Sequence, residues 1–286
     1  MMTNLFDIEP AGNLDTEYKD LEIDLLLKAV FRLSGYDFRL YNRSSISRRI
    51  HNRMRVSNLS TITELTNLII HDRKYLDQIL NDFSINVTEM FRNPTFFKAF
   101  RNEVIPKLRD YPEIRIWHAG CATGEEVFSM AILMEEEGLM DKTVIYATDM
   151  NEDVLEKAKD GVFPIHKMQA YTKNYQLAGG EESFSKYYKT DRQFAYFHNS
   201  LLKNIIFAQH NLVTDQSFNE FHVIICRNVL IYFTQMLQNQ VHNLFYESLM
   251  LEGFLGLGDK ETLRFIDIMP NYNEVNGNER IYQKVK

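Results

Sequence analysis

The sequence has only two cysteines, Cys121 and Cys226, and no long apolar run. Two cysteines are too few for a disulfide framework or a cysteine-rich zinc site, which fits a reducing compartment. No apolar segment approaches the roughly 18 residues that a membrane-spanning helix needs. The first ten residues, MMTNLFDIEP, lack the charged-then-apolar pattern of a signal peptide. We therefore expect a cytoplasmic protein.

Common metal and phosphate signatures are also missing. The eight histidines show no H-E-x-x-H or related ligand spacing, so no metal is expected. The glycine-containing segment 120–124 is neither G-x-G-x-x-G nor G-x-x-x-x-G-K-[ST], which disfavours a dinucleotide site and a phosphate-cradling loop. Cys226 has no base placed near it by the sequence, so it is expected to be an inert core residue rather than a nucleophile.

The charge is acidic overall and unevenly distributed. A net charge of −7 and a pI near 5.7 argue against a surface that binds nucleic acid throughout. Residues 31–60, however, contain seven arginines and one acid, Asp37, a local balance of +6, so the rest of the chain carries −13. The arginines are Arg32, Arg39, Arg43, Arg48, Arg49, Arg53 and Arg55.

The length of 286 residues suggests two folded units, and the first 85 residues predict an all-helical one. Helical patterns cover residues 17–34, 45–57, 61–71 and 73–82. In the first helix one apolar side is expected to consist of Leu21, Leu25, Leu26, Ala29, Val30 and Leu33. In the second, Ile46, Ile50 and Met54 share one face and the arginines occupy the rest.

From about residue 112 the chain alternates short β-rich runs with amphipathic helices, which predicts a parallel sheet flanked by helices. Strands are expected at 114–120, 143–149, 205–212, 221–233, 253–259 and 280–285, and helices at 125–138, 152–161 and 235–250. Residues 166–200 break the alternation. They are rich in Tyr and Phe, and they predict a small antiparallel insertion or a mixed excursion.

The most informative loop joins the first predicted strand to its helix. Its glycines, Gly120 and Gly124, would let a ligand approach the backbone closely, although a purely structural turn explains them equally well. Glu125 and Glu126 at the helix start suit the helix dipole and could face a cationic ligand.

Asp149 ends the next strand, where an acid typically binds ribose hydroxyls; the alternative is an N-cap for the following helix. Loop and acid together favour an adenosine-containing ligand without pyrophosphate. S-adenosylmethionine, whose sulfonium is a cation, meets that description.

Five motifs occur in order along the chain: Asn86–Arg92 (NVTEMFR), Gly120–Glu126 (GCATGEE), Ala147–Asp149 (ATD), Asn211–Leu212 (NL) and Cys226–Phe233 (CRNVLIYF). Together they closely resemble CheR, the family of chemotaxis-receptor glutamate methyltransferases. The resemblance implies an all-helical domain at 14–80 and a methyltransferase domain at 81–286, with a β-subdomain insertion at 166–204. The implied fold is α/β, of the class I Rossmann-like type with a mostly parallel sheet.

The resemblance also implies a cofactor site. S-adenosylmethionine would be bound by Asn86, Thr88, Arg92, Glu126, Asp149, Asn211, Leu212, Arg227 and Asn228, with Arg92 and Tyr232 close to the transferred methyl group.

Taken without the family, these residues point to a site unequally. Arg227 and Asn228 interrupt an apolar run where a strand should end, and a buried strand rarely carries Arg without a partner. Thr88 and Asn93 could instead be helix caps and Arg92 a solvated charge. Tyr232 could equally be a half-buried aromatic.

The implied reaction needs no general base. A glutamate side chain with a pKa of about 4.3 is already ionised at neutral pH, so displacement on a sulfonium mainly requires positioning and desolvation. Arg92 would hold the acceptor carboxylate and Tyr232 would orient it. The products would be a glutamate methyl ester and S-adenosylhomocysteine.

The expected partner is the acidic, helical cytoplasmic region of a chemotaxis receptor. It could dock on Arg48, Arg49, Arg53 and Arg55, although an ordinary solvated helix face is the alternative. A receptor C-terminal peptide at the β-subdomain is a further expectation. No nucleic-acid partner is expected, and the protein is expected to be a monomer. A signalling adaptor that binds S-adenosylmethionine without methylating receptors is the alternative function.

Four positions depart from the family's pattern. Val127 and Phe128 replace a usual Pro-Tyr, and Asp259-Lys260 follows Gly258 where His-Ser is common. These changes bear on acceptor specificity rather than on the predicted cofactor contacts.

Overall fold

The computed structural model describes residues 14–84 and 87–286. The chain divides into two compact units, Met1–Ser84 and Ile85–Lys286. In the described part of the chain, no helix has the length and apolar character needed to span a bilayer.

The first unit contains the four predicted helices, each within three residues of its expected bounds. They are α1 (Leu14–Ser34), α2 (Arg43–Val56), α3 (Ile62–His71) and α4 (Arg73–Phe83). Local sequence explains where α3 begins, because Thr61 and Glu64 form a capping box in which each side chain accepts the other's backbone N–H. Ile46, Ile50 and Met54 are buried on α2, as predicted.

The buried face of α1 differs from the predicted one. Leu26 and Val30 are in the core as expected, but Leu21, Leu25 and Leu33 are 43–55% exposed. The core instead takes the side chains of Ile23, Leu26, Leu27 and Val30, which lie at i, i+3, i+4 and i+7. The helix has apolar residues on more than one side, so spacing alone did not identify the side that packs.

The second unit alternates strands and helices. Its strands are β1 (Ile114–Ala119), β2 (Thr143–Asp149), β3 (Val162–Pro164), β4 (Tyr188–Thr190), β5 (Phe194–Phe197), β6 (Ile205–Gln209), β7 (Phe221–Cys226), β8 (Leu249–Leu257), β9 (Tyr272–Asn276) and β10 (Ile281–Lys284). Its helices are α5 (Pro94–Glu103), α6 (Ile105–Leu108), α7 (Glu125–Glu136), α8 (Glu152–Asp160), α9 (Met168–Leu177), α10 (Asn199–Leu202) and α11 (Gln235–Ser248).

Seven of these strands form one sheet in the order β6-β2-β1-β7-β8-β10-β9. The first five are mutually parallel, and β10 pairs antiparallel with both β8 and β9. The chain order reverses between β1 and β7, and open α/β sheets bind ligands at the carboxyl ends of the strands beside such a point. The predicted α/β fold with a mostly parallel sheet is confirmed, although β9 was not predicted.

Of the two alternatives predicted for the insertion, the mixed one is observed, and its small sheet begins before residue 166, with β3 at Val162–Pro164. A small antiparallel sheet has the order β3-β5-β4, but residues 168–177 form α9. Tyr171 and Tyr175, four residues apart, are buried on one side of this helix. Gly179, at a φ of +84°, lies two residues beyond the end of α9.

A buried polar network joins this insertion to α7. Glu136 accepts hydrogen bonds from Tyr187 Oη at 2.8 Å, from Arg101 Nη2 at 2.5 Å and from Tyr175 Oη. Because the carboxylate is hydrogen-bonded from three sides, it is satisfied although its side chain is only 5% exposed.

Candidate active site

The loop between β1 and α7 lies at the carboxyl end of the parallel strands. The amides of Gly120 and Cys121 both donate to the Thr148 carbonyl, at 2.8 and 2.9 Å. Gly120 has a φ of +79°, and a Cβ there would lie 2.6 Å from Val229 Cγ2. The glycine is therefore required both by its left-handed backbone and by the close approach of the loop that follows β7.

Asp149 anchors this loop at the end of β2. Its Oδ2 accepts the Ala122 amide at 3.0 Å and its Oδ1 accepts the Asn151 amide at 3.0 Å. Burial raises the pKa of Asp149 above its usual value, although these backbone donors oppose the shift. The N-cap alternative for Asp149 was wrong, because Asn151 caps α8 and its side chain accepts the Asp153 amide.

Glu126 and Arg227 form a buried ion pair beside the loop. Glu126 Oε2 accepts from Arg227 Nη1 at 2.7 Å, and Glu126 Oε1 lies 3.2 Å from His118 Nδ1. Burial alone would raise the pKa of Glu126, but the charge of Arg227 and the His118 contact lower it below its usual value. Glu126 is therefore an ionised carboxylate at neutral pH.

Arg227 also contacts the segment that leads into α5. Its Nη2 donates to the Arg92 carbonyl at 3.0 Å and to Asn93 Oδ1 at 2.9 Å. The guanidinium lies 4.2 Å from the centroid of the Phe96 ring, a cation–π contact. The expectation that a buried arginine at a strand end has a partner is thus confirmed. The Arg227 guanidinium connects the end of β7 with the start of α7 and with the segment before α5.

Glu125, the neighbouring carboxylate, has a different environment. It is 1% exposed and is contacted by Thr123 Oγ1 at 2.5 Å, Tyr171 Oη at 3.2 Å and Lys167 Nζ at 3.3 Å. Of the two acids at the start of α7, only Glu126 is paired with Arg227. Glu125 instead ties the loop to the insertion.

Asn211 and Leu212 follow β6, next to β2. The His210 amide donates to the Asp149 carbonyl at 3.1 Å, which brings this segment to Asp149. Asn211 is buried. Its side-chain Oδ1 accepts a hydrogen bond from the Val213 backbone amide, and its backbone amide donates to the Asp215 carboxylate. Leu212 is half-buried.

Three further predicted residues, Asn86, Thr88 and Arg92, precede α5 in the sequence. Asn86 lies outside the described residues. Thr88 and Arg92 are half-buried, and Arg92 Nη1 lies 3.4 Å from the Val87 carbonyl. Asn93 is at the N-cap position of α5, but its side chain makes no capping hydrogen bond and contacts Arg227 instead.

Tyr232 ends the short 3₁₀ turn Leu230–Tyr232, which follows the Arg227-Asn228 pair. It is half-buried, as the aromatic alternative also predicted.

Backbone strain is concentrated at this site. Phe91, Asn93, Ala122 and Asn228 have positive φ values between 48° and 62°, although none is glycine. Such left-handed residues are uncommon and persist where the surroundings hold them, often at functional sites.

Glu261 was not predicted from the sequence, yet it is the most heavily hydrogen-bonded carboxylate of the site. It is 4% exposed and accepts four backbone amides, from Asn228, Val229, Leu230 and Gly258. Burial raises the pKa of Glu261 above its usual value, and these four donors oppose the shift. The sequence feature that could have indicated Glu261 is its position three residues after Gly258, the glycine that directly follows β8.

The departures from the family's pattern occupy different places. Val127 and Phe128 lie on α7, and their side chains are fully buried in the hydrophobic core. Asp259 lines a cavity of about 140 Å³ at the carboxyl ends of β7 and β8, together with Arg227 and Glu279. The change at 259 therefore faces a space that a ligand could enter, whereas those at 127 and 128 do not.

Neither cysteine has the character of a nucleophile. Both are fully buried, and burial raises the pKa of each thiol well above its usual value. Among the described residues, no cluster of His, Cys, Asp and Glu side chains could hold a metal ion.

Comparisons with known proteins agree with this architecture. Two family models match: "CheR methyltransferase, SAM binding domain" over residues 86–276 and "CheR methyltransferase, all-alpha domain" over residues 21–84. A Pseudomonas putida protein provisionally named methyltransferase Cher3 is 45% identical over 265 residues, which are 93% of this chain and 97% of that protein. The chemotaxis protein methyltransferase of Listeria monocytogenes is 31% identical, over 85% of this chain and 92% of its own. A 104.1 kDa Rhodobacter capsulatus protein is 30% identical over 90% of this chain, which spans 27% of that protein.

The residues at the sheet edge fit S-adenosylmethionine, the cofactor of the matched domain. Asp149 has a buried carboxylate of the kind that accepts ribose hydroxyls. Glu126 is an ionised carboxylate at this edge, paired on one oxygen with Arg227, and the loop at Gly120 has no room for a side chain. No phosphate-cradling sequence is present. The domain is an S-adenosylmethionine-dependent methyltransferase domain.

Proposed function

Because the chain belongs to the CheR methyltransferase family, we propose that it transfers the methyl group of S-adenosylmethionine to glutamate side chains of chemotaxis receptors. The products are glutamate methyl esters and S-adenosylhomocysteine. The observation that best supports this function is the buried Glu126–Arg227 pair, which joins the β1–α7 loop, the end of β7 and the segment before α5. These are the three elements that carry most of the predicted cofactor contacts.

The cofactor is held along the carboxyl edge of the sheet. Asp149 binds its ribose hydroxyls, while Glu126 places negative charge next to its cationic part. The complete proposed set is Asn86, Thr88, Arg92, Glu126, Asp149, Asn211, Leu212, Arg227 and Asn228. Support comes from the positions of four of these residues. Asp149 ends β2, Asn211 follows the end of β6, Arg227 follows the end of β7, and Glu126 is in the first turn of α7.

The cofactor supplies an electrophilic methyl group, and the protein positions the acceptor. An ionised glutamate needs no proton removed, because a side-chain pKa of about 4.3 leaves it charged at neutral pH. Arg92 holds the acceptor carboxylate and Tyr232 orients it through its hydroxyl. Both are half-buried, so they can contact a substrate while excluding part of the solvent.

The receptor docks on the arginine-rich helix α2, but the four predicted arginines differ in availability. Arg53 is bound to Asp82 through two hydrogen bonds of 2.6 and 2.9 Å, and Arg49 donates to the Asp82 carbonyl. Arg48 and Arg55 are exposed. The docking surface we propose is therefore centred on Arg48 and Arg55, which face the acidic helical region of the receptor.

The β-subdomain offers a second contact for the receptor. Its central strand β5 exposes Phe194 and Tyr196, which are 37% and 42% accessible. A receptor C-terminal peptide binds at this small sheet, where such aromatic side chains can supply contact area.

Methyl transfer from labelled S-adenosylmethionine to receptor cytoplasmic fragments tests the function. Release of base-labile methanol is the expected result. Arg92→Ala and Tyr232→Phe should lower kcat more than they weaken cofactor affinity. Tyr246→Phe, which removes only a hydroxyl bonded to the Lys286 carbonyl, is the matched control. Normal turnover in both site variants would contradict the assignment.

A further inference from the structure

We propose that Glu261 is a positioning residue, whose buried carboxylate holds residues 228–230 in the conformation that presents Asn228 to the cofactor and leads into Tyr232. The inference rests on the proposed roles of Asn228 and Tyr232. Within residues 14–84 and 87–286, the Glu261 carboxylate accepts its hydrogen bonds from backbone amides.

The geometry is that of an anion held by converging amides. Glu261 Oε1 accepts from Val229 at 2.9 Å and from Leu230 at 2.8 Å. Its Oε2 accepts from Asn228 at 3.0 Å and from Gly258 at 2.7 Å. Both oxygens of one carboxylate are thus fully used by backbone N–H groups.

The local backbone explains why three successive amides point the same way. Asn228 has a φ of +62°, and the next residue, Val229, has φ −110° and ψ −51°. A left-handed residue followed by a right-handed one aligns consecutive N–H groups into a concavity that binds an anion. In this protein the anion belongs to the chain itself. Without it, three amides at the edge of the site would lose their acceptor.

The carboxylate also fixes the end of β8 against the end of β7. A Cβ added to Gly258 would lie 2.7 Å from Glu261 Oε2 and 2.8 Å from the Asn228 nitrogen. The turn at 258 therefore has to be glycine for the carboxylate to reach the amides. Leu230, the last of the three amides, begins the 3₁₀ turn that carries Tyr232.

Glu261→Gln tests this role with little change in size. A glutamine has a single acceptor oxygen, and its NH₂ group would face backbone donors. We expect the dissociation constant for S-adenosylmethionine, measured by titration calorimetry, to rise by about tenfold or more, because unmet buried donors would release the loop. Gly258→Ala should have the same effect, because the added Cβ would push the Glu261 carboxylate away from the amides without removing it.

Glu136→Gln is the matched control. Glu136 is also a buried carboxylate with several donors, but they are Arg101, Tyr175 and Tyr187, at the other end of α7. Both glutamine variants should melt at a lower temperature, and only Glu261→Gln should lose cofactor affinity. The inference is overturned if Glu261→Gln and Gly258→Ala melt earlier yet bind S-adenosylmethionine like the wild type.

Failure of this inference can be told apart from failure of the proposed function. A wild type that binds the cofactor but methylates no receptor fragment contradicts the function. The binding comparison between Glu261→Gln and Glu136→Gln still decides the role of Glu261.

Discussion

Glu126 and Arg227 are 101 residues apart in sequence and lie 2.7 Å from each other in the folded protein. The Arg227 side chain is 1% exposed and that of Glu126 is 15% exposed, so the pair is largely shielded from water. Arg227 also binds the Arg92 carbonyl and the Asn93 side chain. One guanidinium thus connects the end of β7, the start of α7 and the segment before α5.

Breaking this pair should destabilise the second unit strongly. Arg227→Met leaves a buried carboxylate with only His118 beside it, and Glu126→Gln leaves a buried guanidinium without its counter-charge. Each variant should lose about 3–5 kcal/mol of unfolding free energy in urea titrations. The double variant should lose less than the sum of the two, because neither charge is then left unpaired. Additive losses would contradict a coupled pair.

Two glycines separate the effect of backbone conformation from that of close packing. Gly35 and Gly120 have φ values of +80° and +79°, but a Cβ would meet nothing within 4 Å at Gly35 and would meet Val229 at 2.6 Å at Gly120. Gly35→Ala should cost about 1–2 kcal/mol of stability, the penalty of a left-handed non-glycine residue. Gly120→Ala should cost more and should also weaken S-adenosylmethionine binding. Calorimetric unfolding and titration with the cofactor check both; equal stability losses would show that the Val229 contact is unimportant.

The charge of α2 should matter only where it is exposed. Arg48→Glu and Arg55→Glu should each raise the KM for a receptor fragment about fivefold at low ionic strength, with kcat little changed, since exposed charges steer association and are screened by salt. Lys74→Glu makes the same charge change at an exposed position on α4 and is the control. An equal effect of all three variants would mean that net charge, not this surface, attracts the receptor.

Arg53 should behave differently from its neighbours. Its guanidinium is bound to Asp82 on both oxygens, so Arg53→Ala should lower the melting temperature of the helical unit.

His242 should make stability depend on pH. Burial on α11 lowers the pKa of His242 from 6.5 to about 4. Between these pH values the imidazole stays neutral in the folded protein but is protonated in the unfolded chain. Its contribution is complete above about pH 6.5 and is lost as the pH falls toward 4, by about 3 kcal/mol in total. Urea midpoints of the wild type and of His242→Leu, measured between pH 7.5 and 4.5, test this. If the urea midpoint of His242→Leu falls with pH as steeply as that of the wild type, His242 is not the cause of the pH dependence.

Two strands of the site, β1 and β2, were predicted closely, whereas the strand expected at 221–233 was wrong in its end, because β7 stops at Cys226. β1 and β2 are short, mostly buried runs that contain Ile, Val and aromatic residues typical of strands, and each was predicted to within one residue of its observed bounds. The insertion was harder, because the tyrosines on the buried side of α9 are of a residue type that is common in strands. Its two inward tyrosines became recognisable only once the packing was known.

Glu261 illustrates what a single sequence does not reveal. Its partners are backbone amides more than 30 residues away, apart from Gly258, and backbone groups leave no residue-type pattern. The contact between Asn93 and Arg227 is similar, since a helix-cap position gives no sign that its side chain binds a distant arginine. The motif positions thus led to the candidate site, and the long-range contacts that shape it required the folded chain.

The most direct test of the proposed function is to incubate the wild-type protein with labelled S-adenosylmethionine and receptor cytoplasmic fragments, and to map the label by mass spectrometry. We expect base-labile methyl esters on glutamate side chains, with transfer reduced by Arg92→Ala and Tyr232→Phe. Tight cofactor binding without any esterified glutamate would contradict it and would favour an adaptor.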